Sequence, residues 1–155
     1  MDETNIKMGW QEWVSLPSLG LPAVLAKIDT GATLSALDVI STDVFIKDGQ
    51  EYVRFGLRPV PERPDFICYH SAPVKDRLDI TSSNGQTENR FIISTTLCVD
   101  KNMWEIDISL TNRHTMQYRM LLGRQALADG NVFVDPTQDF VQPKLSYGLY
   151  RQILD

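Results

Sequence analysis

Short runs in which apolar and polar residues alternate dominate this chain, and turn residues separate them. Alternation with period two sends successive side chains to opposite faces, the pattern of a half-buried strand. Trp104 to Leu110 is the clearest case: Trp104, Ile106, Ile108 and Leu110 share one face, and Glu105, Asp107 and Ser109 share the other. Gly9 to Val14 and Leu21 to Ile28 read as strands around a Leu16-Pro17-Ser18-Leu19-Gly20 turn. Ser35 to Phe45 is mixed, with β-branched Val39, Ile40 and Val44 followed by Ile46. Asp48-Gly49 predicts a tight hairpin turn, because both residues tolerate positive φ, and Tyr52 to Leu57 is its return strand. Arg58 to Pro64 holds three prolines and reads as an exposed loop. Leu78 to Thr81 and Arg90 to Thr96 flank a second hairpin tip at Asn84-Gly85. Tyr118 to Leu122, Val132 to Val134 and Asp139 to Val141 complete the predicted strands, with Pro136 in a turn.

Only Arg124 to Ala128 reads as a helix, closed by Gly130. Strands at this spacing with one short helix predict a closed or sandwiched all-β structure. No repeat, low-complexity segment or long linker divides the chain, so residues 1–155 are expected to form a single domain.

Composition narrows the function classes. The apolar fraction is 43% and the charged fraction 23%, which places the chain among ordinary globular domains. A net charge of −5 argues against nucleic acid or an anionic membrane surface as partner, since both select clustered Lys and Arg. No apolar run approaches the ~20 residues needed to span a bilayer. The opening Met1-Asp2-Glu3-Thr4 is acidic and polar, unlike a signal peptide, so a cytoplasmic location is expected; an exported protein whose leader had been removed could begin the same way. Cys68 and Cys98 read as two free thiols, or as one disulfide in an exported protein.

The sharpest chemical feature is Ala26-Lys27-Ile28-Asp29-Thr30-Gly31-Ala32. An apolar strand runs into a carboxylate, a hydroxyl and a glycine, so Asp29 is presented at the end of a buried strand. Gly31 allows close approach of the backbone, and Thr30 can bond locally. Taken alone, the tripeptide is also an ordinary Asx-type turn.

A second element changes that balance. Met120-Leu121-Leu122-Gly123-Arg124-Gln125-Ala126-Leu127 resembles the apolar-apolar-Gly strand that precedes the short helix of retropepsins. In that family the strand supports the Asp-Thr-Gly loop from below, and the two motifs occur in this order. The resemblance narrows on Gly9-Trp10-Gln11-Glu12-Trp13-Val14, Leu16-Pro17, Lys27 to Ala32, Ser35-Ala36-Leu37, Val53-Arg54-Phe55, Ser83-Asn84-Gly85 and Leu121-Leu122-Gly123-Arg124. Together these resemble a bacterial retropepsin-like family labelled "ATP-dependent zinc protease", from Met8 to about Phe140.

The resemblance implies an all-β, retropepsin-like acid protease barrel with one short C-terminal helix. It implies Asp29, Thr30 and Gly31 as the catalytic turn, with Ala32, Leu121, Leu122, Gly123 and Arg124 as its support. Leu121 and Leu122 are both expected to be buried. A flap is expected in the Ile80 to Ile92 hairpin with Ser83, Asn84 and Gly85 at its tip, the Asp48-Gly49 hairpin being the competitor. In viral retropepsins acidic residues follow the turn and pair with the late arginine. Here Thr33 and Leu34 stand in those places, which leaves Asp38 or Asp135 as substitute partners for Arg124.

Neither zinc nor ATP is supported by the residues themselves. There is no His-Glu-x-x-His helix and no Gly-x-x-x-x-Gly-Lys-Ser/Thr loop. Cys68 and His70 lack a second pair at ligand spacing, and His114 reads as a solvated loop residue. No metal and no cofactor are therefore expected. With one Asp-Thr-Gly per chain, an aspartic endopeptidase needs a homodimer to bring a second carboxylate, and its partner is a peptide or protein substrate. The alternative is a non-catalytic peptide-binding or accessory domain that retains the fold.

Overall fold

A computed structural model describes residues 5–81, 85–112 and 118–150. Strands take up 56% of these residues, so the all-β expectation holds. In chain order they are β1 (Ile6–Met8), β2 (Gln11–Leu16), β3 (Leu21–Ile28), β4 (Ser35–Asp38), β5 (Ser41–Lys47), β6 (Gln50–Leu57), β7 (Cys68–Pro73), β8 (Asp76–Thr81), β9 (Thr87–Val99), β10 (Asn102–Thr111), β11 (Met120–Leu122) and, after helix α1 (Arg124–Asp129), β12 (Val132–Val134).

The main sheet has the order β10-β4-β11-β3-β2-β9-β8, and β9 also pairs with β10. The sheet thus curls back on itself, but it does not close as the expected barrel. The β2–β9 join is a single residue pair, Ser15 with Cys98. The cause is local. Pro22 has no N–H to offer β2, the β2–β3 register slips between Val14 and Leu16, and Ser15 Oγ donates to Pro22 O at 2.7 Å instead. A second sheet, β5-β6-β7, stands beside the first, and β1 pairs parallel with β12. Val53, Phe55 and Leu57 of β6 share one buried cluster with Leu21, Val24, Leu37, Ile108, Met120 and Leu122 of the main sheet.

Asp48 (φ 52°) and Gly49 (φ 77°) both lie in the left-handed region, as the predicted hairpin turn requires. Gly130 closes α1 with its N–H on Ala126 O, but it is not left-handed; that role falls to Asn131 (φ 52°). Gly130 is needed for space, because a Cβ there would enter the Trp104 ring. Trp104 in turn donates from Nε1 to Ala126 O at 3.0 Å.

Two strand expectations need correction. Gly9 to Val14 is broken, with β1 ending at Met8 and β2 starting at Gln11. Asp139 to Val141 is not a strand: Phe140 N–H still donates to Gln11 O (3.0 Å), but the N–H groups that follow, of Val141 and Gln142, go to a side chain rather than to a ladder. Glu12, fully buried, accepts from Gly9 N–H (2.7 Å), Val141 N–H (2.9 Å) and Gln142 N–H (3.0 Å). Three donors offset the large cost of burying a carboxylate and tie the late segment to β2.

Candidate active site

The site is built where β3, β4 and β11 meet. β11 lies between β3 and β4, parallel to the first (Leu122 beside Ile28) and antiparallel to the second (Met120 beside Leu37). The mirrored arrangement holds for β4, which runs parallel to β10. Two strands that would otherwise be neighbours are thus held apart by a third, and the turn joining them must bridge that gap. This turn carries Asp29.

Backbone hydrogen bonds fix both ends of the turn. Asp29 N–H donates to Leu122 O (2.8 Å), and Ala32 N–H to Asp29 O (3.3 Å). Arg124 N–H donates to Ala32 O (2.6 Å), and Gln125 N–H to Thr33 O (3.1 Å). The first turn of α1 therefore finds acceptors in the Asp29 loop for two N–H groups that a helix start leaves unpaired. Gly123 is packed so tightly that a Cβ would sit 2.5 Å from Leu34 O. The carboxylate itself is positioned by Gly31 N–H, which donates to Asp29 Oδ1 at 2.9 Å. Asp29 is half-buried and Thr30 exposed, so the carboxylate is held yet reachable.

The structure therefore brings Asp29, Thr30, Gly31, Ala32, Leu122, Gly123 and Arg124 together. Leu122 is fully buried, but Leu121 is only half-buried, because a three-residue strand alternates and Leu121 takes the opposite face from Met120 and Leu122. Arg124 meets neither of its expected acidic partners. Its guanidinium donates to Thr33 Oγ1 (3.0 Å) and Thr30 O (3.4 Å), so Thr33 fills the acidic residue's role with a hydroxyl. Asp38 instead faces Arg119 at 3.7 Å, and Asp135 faces Lys7 at 3.9 Å. One supporting residue was not expected: buried Ser35 accepts Gly123 N–H on its Oγ at 3.0 Å, while Ser109 Oγ donates to Ser35 O at 2.9 Å. A hydroxyl at the start of an otherwise apolar strand was the signal for it.

The proposed lid hairpin is formed by β8 and β9, paired from Asp76–Ile92 to Thr81–Thr87. Ser83 and Asn84 lie outside the described residues, as does His114; Gly85 is exposed with φ 84°. The competitor hairpin belongs to the separate β5-β6-β7 sheet. Cys68 and Cys98 are free thiols, each pushed above the usual thiol range by burial. Among the described residues no three His, Cys, Asp or Glu side chains gather closely enough to hold a metal.

A polar cleft of about 310 Å³ lies beside α1, lined by Lys75, Ser94, Glu105, Asp107, Gln125 and Asp129. There burial pushes the Asp107 carboxyl up, but hydrogen bonds from Lys75 and Ser94 and the Lys75 charge outweigh it and hold the group below its ordinary range. Lys75 Nζ donates to Asp107 Oδ2 at 2.8 Å. A second cavity of about 310 Å³ opens between Val60, Phe66, Tyr147 and Tyr150. Neither cavity is lined by Asp29.

Known proteins place this geometry. Curated relatives of this chain are named "Probable alpha-L-glutamate ligase". That of Shewanella pealeana is 37% identical over 140 residues, covering 90% of this chain and 30% of the relative. That of Desulfotalea psychrophila is 39% identical over 129 residues (83% and 28%), and that of Parasynechococcus marenigrum 38% over 132 (85% and 28%). The chain spans about 30% of the length of the curated relatives it matches. Among solved structures, a Legionella pneumophila protein of unknown function superposes with a TM-score of 0.75 at 25% identity, over 89% of this chain and 98% of the other. The sequence model of one family, the RimB-like family, described as "Retropepsin-like aspartic endopeptidase RimB", matches residues 7–145. With its Asp29 turn carried on β3 and braced by β11 and α1, the chain belongs to that RimB-like family of retropepsin-like aspartic endopeptidases.

Proposed function

We propose that the protein is an aspartic endopeptidase that hydrolyses peptide bonds as a homodimer, with a water held between two Asp29 carboxylates. The observation that carries this reading is the Asp29 carboxylate, half-exposed at the end of a buried strand, oriented by Gly31 N–H and braced by β11. The sequence holds one Asp-Thr-Gly, so the second carboxylate comes from a second copy across a two-fold axis. In the pair, one carboxylate is ionised and takes a proton from the water as its oxygen attacks the carbonyl carbon. The other is protonated and donates to the carbonyl oxygen. Collapse of the tetrahedral intermediate breaks the C–N bond, and the departing nitrogen takes up a proton. Two carboxylates about 3 Å apart share one proton, so activity is expected to be bell-shaped with pH, on the acidic side. Thr30 and Gly31 shape the turn; Ala32, Leu121, Leu122, Gly123 and Arg124 hold it; the β8–β9 hairpin, with Ser83, Asn84 and Gly85, closes over the peptide as a lid.

A second reading comes from the ligase-named relatives, of which this chain matches less than a third. In it the domain binds glutamate-bearing peptides beside a ligase and cleaves nothing. One experiment separates the two. A diverse peptide library, including glutamate-extended peptides, is incubated from pH 3 to 8 with wild type and Asp29→Asn. Cleavage by wild type alone supports the peptidase. Peptide binding by both proteins with cleavage by neither supports the accessory domain.

A further inference from the structure

β5 is the edge of the three-stranded sheet, and every residue from Thr42 to Lys47 is exposed. Its outward-facing groups can be assigned from the register. Lys47 pairs with Gln50 across the two-residue Asp48-Gly49 turn. The pair flanking such a turn exchanges both backbone hydrogen bonds, and the pattern then alternates. Odd-numbered residues of β5 therefore bond to β6. Thr42, Val44 and Ile46 direct their N–H and C=O groups to the open edge.

The side chains at this edge belong to an unfinished core. Val44 lies opposite Val53, and Thr42 opposite Phe55; Val53 and Phe55 are fully buried. One strand further out on the same face, Val44 is 43% exposed and Ile46 66%. On the other face Phe45 stacks on Tyr52 with centroids 5.4 Å apart and is itself 38% exposed. A bare edge of apolar residues is a template for pairing with another strand. Here the flanking charges specify which strand. Asp43 and Lys47 sit two residues on either side of Phe45.

We propose that β5 is a self-association edge, on which two copies of this chain pair their β5 strands antiparallel about Phe45. In that register Val44 of each copy meets the partner's Ile46, bonding through the outward-facing groups of both. Phe45 meets the partner's Phe45, and Asp43 meets the partner's Lys47 twice over. Opposite charges directly across a ladder stabilise it, and like charges oppose it. The neighbouring two-fold registers lose this match. Pairing about Val44 sets Asp43 against the partner's Phe45, and pairing about Ile46 sets Phe45 against the partner's Lys47. The product is one six-stranded sheet with Val44 and Ile46 covered from both sides. This edge uses neither Asp29 nor the lid, so it stands apart from the catalytic reading.

Sedimentation equilibrium across protein concentrations up to roughly millimolar tests it, since so short an edge makes a small interface. Asp43→Lys and Lys47→Asp should each raise the dissociation constant about tenfold, having turned both attractive pairs into repulsive ones. The double reversal should restore it. An equimolar mixture of the two single variants should associate as tightly as wild type, because each supplies the charge the other lacks. Circular dichroism confirms that the variants are folded. Equal association of wild type and both single variants, or no recovery in the double variant and the mixture, overturns the proposal. A crosslink gives an independent reading. Under mild oxidation Phe45→Cys should form a disulfide-linked dimer that wild type and Val44→Cys do not, because only residue 45 meets itself across the axis. Linking at 44 and not at 45 overturns the register.

Discussion

Two turns in this molecule look alike when read locally, since each follows a strand with an aspartate and closes with a glycine. Asp29-Thr30-Gly31 is gripped from elsewhere in the chain: β11 accepts its first N–H, α1 donates to its far side, and Gly123 presses against Leu34. Asp48-Gly49 is the tip of the β5–β6 hairpin, and among the described residues nothing lies within 4 Å of a Cβ on Gly49. The first turn makes a carboxylate stationary. The second makes a strand end. What separates them is a backbone partner about ninety residues away in sequence, and stationary geometry is what acid–base chemistry requires.

The sharpest way to break this comparison is at the aspartates. Asp29→Asn keeps an Oδ1 that accepts Gly31 N–H, so the fold should survive. Peptidase turnover should fall by at least about 10³-fold in a cleavage assay, since the amide cannot accept the water proton. Asp48→Asn should leave turnover unchanged, because asparagine also tolerates positive φ. Equal activity of wild type and Asp29→Asn would end the catalytic account.

The glycines come next. Gly123→Ala forces a methyl group against the backbone of Leu34, and urea unfolding should show a loss of about 3 kcal/mol or more. Gly49→Ala meets open space and carries only the strain of its positive φ, about 1 kcal/mol. A smaller contrast lies within β11. Leu122→Ala should cost about 2–5 kcal/mol as a fully buried leucine, and Leu121→Ala clearly less, as its side chain is half in water.

The smallest expected effect is on pH dependence. The Asp107 carboxyl is held below its ordinary range, so the folded state favours its ionised form. Its contribution is complete above about pH 4 and is lost as the pH falls through the folded value. Asp107→Asn should therefore flatten the acid side of the stability curve, by less than about 1 kcal/mol because the ion pair is solvated. An unchanged acid limb would show that Lys75 contributes nothing there.

Most strands were legible because period two is a local property, and the Asp48-Gly49 turn because its two residues dictate φ. The order of Asp29 and Gly123 along the chain indicated that they meet. What could not be read locally was who donates to whom. The insertion of β11 between β3 and β4 depends on pairings across most of the chain, and Thr33 as partner of Arg124 looked only like a missing acid. Glu12 was readable in principle. It falls in step with buried Val14 and Leu16, so alternation alone places it inside. Assigning Asp139 to Val141 to a strand failed for the same reason, since Val141 N–H, and Gln142 N–H after it, are taken by the Glu12 side chain on β2 while Phe140 N–H reaches a backbone carbonyl.

The position of β11 also governs when this protein can become folded. β3 and β4 follow each other in sequence, yet neither has its central neighbour until Met120–Leu122 has been made. A ribosome-bound chain must therefore wait, with β3 and β4 lacking the strand between them, until Met120–Leu122 has been synthesised. Such distant pairing predicts slow folding for a domain of this size. It also leaves the nascent segment that holds β3 and β4 without its central strand until β11 arrives, and incompletely buried apolar surface of that kind favours aggregation.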